Sequence, residues 1–290
     1  MEQYKELAEK IRRTVPQKAE VLIWWLGQSG FILRSHRSCI VVDPYLSTTL
    51  EDATRDQSWK RHVRMMPICV QPGDLTGVDA IFCTHAHRDH YDPPTIRALQ
   101  LSNPSAILTA PAACAEIMHA DGLHNVLAAD TEKPLAFNGF SVGAIPSMHN
   151  CFDYSEQTGY PYLGYIFDFD GVRIYHAGDT LLYDGLADRL RKWNVHLALL
   201  PINGRTPELI AKGFQSNLNY REAPQLCADA GIAHMIPCHY DMFTINTEQV
   251  GKFVNYTNAN IPDLCYWVPV IGEPFHFNLS NFYIYPDCEE

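Results

Sequence analysis

Thr84-His85-Ala86-His87-Arg88-Asp89-His90 follows the short apolar run Val78-Asp79-Ala80-Ile81-Phe82-Cys83 and precedes Tyr91-Asp92-Pro93-Pro94. The apolar run reads as a buried strand, and the prolines end it and can open a helix. Between them, three histidines and an aspartate fall within six residues. Neutral imidazole and carboxylate are the donors that zinc, manganese and iron accept. His85 and His87 lie two apart, so an extended segment aims both rings the same way. Asp89 and His90 follow on the turn and point at a second position close by. Two pairs of ligands on one loop suit two metals roughly 3.5–4 Å apart better than one. The alternative is a cluster of surface histidines on a solvated loop.

Working outward, Tyr4, Leu7 and Ile11 recur at helical spacing and predict an amphipathic helix over 2–13, ending before Pro16. Strands are expected at 21–26 and 31–33 around a Gly27–Gly30 turn, and at 39–43, closing on Pro44. Residues 44–77 read as a long, polar, proline-containing excursion near the site. Downstream, strand-like runs at 106–109, 125–128, 134–137, 139–145, 162–169, 172–177, 197–202 and 233–238 alternate with helical ones. The helices are expected at 111–120, 181–192, 220–230 and 247–257, with terminal strands at 265–277. Strands grouped at the start of each half, then strand–helix alternation, predict an α/β chain of two face-to-face sheets with helices outside. No low-complexity linker interrupts the 290 residues, so one domain over 1–290 is expected. The halves share an order of elements but no detectable sequence repeat.

Hydrophobic residues make up 47% and charged residues 19%, an ordinary folded composition. The net charge of -11 argues against nucleic acid as a partner, because phosphate-backbone binding draws on Lys and Arg excess. A small anionic substrate stays compatible with that charge, since a few arginines can reverse the sign inside a cleft. Nine scattered cysteines with no C-x-x-C pair suit a reducing compartment better than a disulfide framework. Met1 to Pro16 lacks the apolar stretch of a signal peptide, and no run approaches a membrane span of roughly 18–20 apolar residues. A cytoplasmic location without a membrane partner is the expectation.

Further ligands must come from other strand ends, where sites collect in open α/β architectures. His149 closes Val142-Gly143-Ala144-Ile145-Pro146-Ser147-Met148. Asp179 sits in Ile174-Tyr175-His176-Ala177-Gly178-Asp179-Thr180, and His239 follows Met235-Ile236-Pro237-Cys238. The set His85, His87, Asp89, His90, His149, Asp179 and His239, with Asp43 upstream, resembles the metallo-β-lactamase superfamily in order and spacing across nearly the whole chain. Within it, Trp25-Leu26-Gly27-Gln28-Ser29-Gly30-Phe31, Asp43-Pro44-Tyr45-Leu46-Ser47 and Pro201-Ile202-Asn203-Gly204-Arg205 resemble the L-ascorbate-6-phosphate lactonase branch.

That resemblance implies a four-layer αβ/βα sandwich with the site along one edge. It assigns His85, His87 and His149 to one divalent metal ion and Asp89, His90 and His239 to a second, with Asp179 bridging. Some β-lactamases have cysteine at the bridging position. Oxygen there admits manganese or iron as well as zinc, and the lactonase branch is manganese-dependent by resemblance. Asp43 is implied as a support that orients a ligating imidazole; a turn or capping role is the alternative. His176 reads as a hydrogen-bonded structural residue.

Asn203 and Arg205 occupy a glycine-containing loop after a buried strand and are candidate substrate contacts. Arg205 has the paired donors that hold phosphate or carboxylate, and an exposed Asn203 suits an oxyanion donor; for Arg205 a solvated turn is the alternative. The basic island at 55–64 is a charged surface loop, a cover for the site, or, with the N-terminal helix, a contact surface of a homo-oligomer. Tyr45, Tyr154 and Tyr183 are further residues within conceivable reach of substrate.

The expected chemistry is hydrolysis. Two cations lower the pKa of a water between them so that hydroxide forms near neutral pH, and Asp89 orients it and passes a proton to the leaving group. A phosphorylated sugar lactone is the implied substrate. A phosphodiesterase or nuclease of the same superfamily is the alternative. A di-iron redox protein fits less well, because oxygen-reducing relatives place glutamate where His87 stands and carry an attached flavin domain.

Overall fold

The computed structural model describes residues 2–131 and 133–279. Cys288 and the other residues of 280–290 in the expected domain lie outside the described residues. Fourteen strands are observed there: β1 Glu20–Gly27, β2 Gly30–Arg34, β3 Cys39–Val42, β4 Ala80–Phe82, β5 Ile107–Pro111, β6 Val126–Ala129, β7 Leu135–Phe137, β8 Phe140–Pro146, β9 Leu163–Phe169, β10 Val172–His176, β11 Leu197–Pro201, β12 His234–Cys238, β13 Cys265–Tyr266 and β14 Pro274–Asn278. The α-helices are α1 Glu2–Arg13, α2 Thr49–Ala53, α3 Pro93–Ser102, α4 Ala112–Ala120, α5 Leu186–Lys192, α6 Pro207–Ala211, α7 Glu222–Ala230 and α8 Val250–Asn260.

The strands form two seven-stranded sheets, in the orders β14-β1-β2-β3-β4-β5-β6 and β13-β12-β11-β10-β9-β8-β7. In the first, the pairs from β14 to β3 are antiparallel and those from β3 to β6 parallel. The second repeats this, antiparallel from β7 to β10 and parallel from β10 to β13. Period-two alternation explains how one sheet serves two cores. Val21, Ile23, Trp25, Phe31, Leu33, Val42 and Phe82 face the second sheet. The intervening Leu22, Trp24, Leu26, Ile32, Val41 and Ile81 face outward, under Ala8 and Ile11 of α1, Ile96 and Leu99 of α3, and Met118 of α4. Each of these strands is therefore buried on both faces, which is why they read as continuous apolar runs.

Several expectations are corrected. The helix expected over 181–192 begins only at Leu186, because Gly185 caps it at φ 89 and residues 177–185 are drawn into the loop that carries Asp179. The excursion at 44–77 is not wholly irregular: it holds α2 and a 3-10 turn at Pro72–Asp74. Helix α6, capped by the Thr206 side chain accepting from the Leu209 N–H at 3.2 Å, has no counterpart in the sequence reading. The terminal strands divide between the sheets, β13 closing the second and β14 pairing with β1 of the first. The eight described cysteines are free. Among the described residues no helix is long and apolar enough to cross a membrane.

Candidate metal centre

The seven expected ligands converge at one edge of the sandwich, from loops that leave β4, β8, β10 and β12. His85, His87, His149 and Asp179 form one group and Asp89, His90 and His239 another, with the ligand atoms of each group within 4.8 Å of one another. Asp179 faces both. Its Oδ2 lies 4.0 Å from His85 Nε2 and 3.5 Å from His149 Nε2. Its Oδ1 lies 3.2 Å from His90 Nε2 and 3.4 Å from His239 Nε2. Asp89 Oδ2 completes the second group at 3.7 Å from His90 Nε2 and 3.5 Å from His239 Nε2.

Backbone geometry turns these side chains inward. Gln28, Asp43 and His239, each just past a strand end, take positive φ of 52, 45 and 59°. That conformation costs roughly 1–2 kcal/mol for a residue with a Cβ and is a recurrent feature of functional sites. Gly178, at φ +58, is needed for a second reason: a Cβ there would stand 2.7 Å from Thr84 Cβ and Oγ1. Its absence lets the Asp179 loop lie directly on the loop that starts the histidine cluster.

The outer nitrogens of three ligands are engaged. Asp43, fully buried, accepts from the Thr84 N–H at 2.8 Å and the Thr84 hydroxyl at 2.7 Å. The same carboxylate lies 2.7 Å from His90 Nδ1, which directs His90 Nε2 to the centre. Thr84 Oγ1 lies 3.0 Å from His85 Nδ1, and His149 Nδ1 donates to the Ser216 carbonyl at 3.1 Å. His176 is bound on both sides, Nε2 to the Ser29 carbonyl at 2.7 Å and Nδ1 to the Gly178 N–H at 3.1 Å. It braces the Asp179 turn.

Burial pushes His85 well below the ordinary imidazole value, lowers His87 and brings His149 to about 4, so these rings are neutral and ready to donate a lone pair. Burial also opposes ionisation of Asp89 and Asp179. The facing His90 and His239 overcome it and hold both carboxyls well below the usual range. Conversely, against the cost of burial, those carboxylates raise His90 well above its ordinary value and His239 to about 9. Without a metal, protons on two imidazoles supply the positive charge that the carboxylates demand. A cation fits this donor set on a further count: His85 Nε2 is buried with no hydrogen-bond partner, an arrangement costly unless another group meets it.

A sequence profile of the beta-lactamase superfamily domain matches residues 39–240, from β3 through the residue after His239. The chain belongs to the metallo-β-lactamase superfamily. The two seven-stranded sheets with flanking helices are the fold of that superfamily. A UPF0173 metal-dependent hydrolase of Caldivirga maquilingensis is 24% identical over 252 residues, 86% of this chain and 95% of the relative. Igni18, a metallo hydrolase of Ignicoccus hospitalis, has the same fold with a TM-score of 0.65 at 20% identity, covering 90% of this chain and 100% of its own. An isothiocyanate hydrolase from Delia radicum gut bacteria reaches a TM-score of 0.69 at 16% identity, covering 89% and 99%.

Two expected substrate contacts are placed differently in this metallo-β-lactamase fold. Asn203 is not exposed but 4% accessible, its Nδ2 donating to Asn246 Oδ1 at 2.9 Å and its Oδ1 accepting from Asn217 at 3.1 Å. It is committed to the loop that carries the Ser216 carbonyl, not free to meet an oxyanion. Arg205 spends its fork on Glu222, at 2.8 and 3.1 Å, and on the Asn217 carbonyl at 3.2 Å. The basic island is likewise tied down in part. Arg64 donates to the Met66, Ser47 and Tyr45 carbonyls. Lys60 lies over Phe214, and His62 is buried against Phe214 and Phe243.

Gln28, like Thr84 and Ser216, has no role assigned from sequence. In the case of Gln28 the contact is to a ligand carboxylate: its Nε2 donates to Asp89 Oδ2 at 2.8 Å and stands 3.1 Å from His239 Nε2. The available signal was an amide side chain inside a glycine-flanked turn directly after a buried strand.

Proposed function

We propose that this protein is a metal-dependent hydrolase whose centre holds two divalent cations, manganese or zinc, and opens a lactone. The observation that carries the reading is the split carboxylate of Asp179, with one oxygen turned to His85 and His149 and the other to His90 and His239. When bound, such cations supply Lewis acidity and make hydroxide available near neutral pH. His85, His87 and His149 would hold one and Asp89, His90 and His239 the other, with Asp179 facing both groups.

The chain's own groups then manage protons and orientation. Asp89 is the most accessible of the ligand carboxylates, 17% exposed against 5% for Asp179, so it is the one that meets incoming solvent and substrate. Its carboxylate takes the proton released as water oxygen bonds to the carbonyl carbon, and returns it to the ring oxygen as the acyl C–O bond breaks. One water is consumed and one hydroxy acid leaves. The Gln28 amide, which donates to Asp89 Oδ2 at 2.8 Å, holds that carboxylate in position for the transfer.

The lactonase branch motifs point to a phosphorylated sugar lactone such as L-ascorbate 6-phosphate. Arg205 lends that finer reading no support, because its guanidinium is engaged by Glu222. The test is a panel with manganese- and zinc-loaded protein: phosphorylated and plain lactones, a bis-aryl phosphodiester and a nitrocefin-type β-lactam. Lactone opening abolished by chelation is the expected result. Turnover of the phosphodiester alone would replace lactone opening with phosphodiester hydrolysis.

A further inference from the structure

On the His149 side the centre is lined by the Tyr162 ring, and the segment that carries Tyr162 is rich in aromatic residues. Residues 149–162 leave the ligand His149 and return to β9, and they contain no lysine or arginine, only the carboxylates Asp153 and Glu156. The segment is pinned by a bridge between His149 and Cys151 and by paired backbone bonds between Ser155 and Gly159, of 3.1 and 2.7 Å. Tyr162 places its ring 5.3, 5.9 and 5.4 Å from those of His85, His87 and His149, against every histidine of the first group.

Phe152, three residues past His149, packs on Tyr160 at 6.0 Å and 65° and on Tyr183 at 4.8 Å and 75°. Tyr154 meets Tyr160 at 4.9 Å. Tyr183 lies four residues past Asp179, and its hydroxyl donates to the Pro146 carbonyl at 2.6 Å. Phe152 is 46% exposed and Tyr154 60%.

A lone exposed aromatic residue is ordinary. Phe152 touches Tyr160 and Tyr183, Tyr154 touches Tyr160, and the cluster springs from the same segments that carry His149, Tyr162 and Asp179; contiguous exposed apolar surface beside a site marks a binding function. Tilted and edge-on packing leaves ring faces open to a further ring. An anion, in contrast, would meet Asp153 and Glu156 with no cation in the segment to offset them.

We propose that this aromatic cluster selects the substrate: it receives an uncharged aromatic or flat unsaturated ring carried by the lactone beside its scissile ester. The proposal rests on the lactone reading above and narrows it.

The test compares dihydrocoumarin, δ-valerolactone and 6-phosphogluconolactone on metal-loaded protein. Dihydrocoumarin has the better leaving group, so the quantity of interest is how a variant changes the ratio of kcat/KM between it and δ-valerolactone. Phe152→Ala should lower that ratio about tenfold, mainly through KM, and Phe152→Trp should restore it. Leu101→Ala, an exposed apolar residue on α3, should leave it unchanged.

A second readout avoids turnover: 3-phenylpropan-1-ol should perturb the amide NMR resonances of 149–162 in wild type and do so far less in Phe152→Ala. If no lactone is opened but this binding and its loss are seen, the lactone reading fails and the aromatic site stands. An unchanged ratio with no resonance perturbation overturns the aromatic site. So does preference for 6-phosphogluconolactone that survives Phe152→Ala. A dimer in sedimentation that Phe152→Ala dissociates would make the patch an interface between copies instead.

Discussion

In the first sheet three antiparallel pairings are followed by three parallel ones, and the second sheet repeats the succession strand for strand. Equivalent strand ends therefore exist in both halves, yet they do different work. The loop after β4 carries four ligands within six residues. Its counterpart after β11 carries Asn203 and Arg205, which brace the neighbouring 214–222 segment and ligate nothing. The second half instead supplies one ligand from each of three strand ends, His149, Asp179 and His239. In the first half the ends of β1 and β3 hold Gln28 and Asp43, which hydrogen-bond to ligands rather than join them. One scaffold thus gives a concentrated set of ligands in one half and a dispersed set in the other, and the centre exists only where the two meet.

The sharpest way to break that division is Asp179→Ala, which removes the carboxylate that both groups share. Activity should fall to background and metal content from about two ions per chain to one or fewer, measured by kinetics and elemental analysis. Two tightly held ions in this variant would show that Asp179 is no bridge. Asp43→Ala tests the supporting role of the first half. Freeing His90 Nδ1 should weaken metal binding or activity by about 10–100-fold, with the fold retained by circular dichroism; an unchanged metal affinity would assign Asp43 to the turn alone.

Acidity should separate the two ligand groups in the metal-free protein. His149, lowered from 6.5 to about 4, binds its proton more readily when unfolded, so stability falls as pH drops from 6.5 toward 4. His239, raised from 6.5 to about 9, contributes stability that is complete below 6.5 and lost as pH rises through 9. Thermal unfolding of the metal-free protein should therefore be most resistant near pH 6.5. With metal bound, His239 is already deprotonated and the alkaline decline should disappear; a decline that persists with metal bound would count against His239 as a ligand. The smallest effect is expected at Arg205→Ala. Half-exposed ion pairs contribute at most about 1 kcal/mol, so stability should drop slightly and the KM for a phosphorylated lactone should stay within about twofold. A much larger rise in KM would return Arg205 to the substrate.

The concentrated half was readable because its ligands are contiguous: residue type, spacing and a preceding strand place His85, His87, Asp89 and His90 together without any long-range information. His149, Asp179 and His239 were legible less directly, through the pattern of a buried strand ending in a polar residue. The same pattern misled at Asn203. A strand followed by Asn-Gly-Arg looks like an exposed loop, and only the return of residues 214–222 across it buries the amide and supplies Glu222 as the partner of Arg205. Helix α5 starts late for a related reason, since the residues before it are drawn into the Asp179 turn.

Local sequence determined the donor chemistry, the strand that presents it and the alternation that buries β1 to β4 on both faces, because these depend on residue type and short-range periodicity. Tertiary structure decided which oxygen of Asp179 faces which group, that Gln28 and Asp43 hold the ligands in place, and that the Tyr162 ring lies against His85, His87 and His149. Those outcomes depend on which distant strand ends two packed sheets bring within a few ångströms of each other, and residue spacing along the chain does not encode that distance.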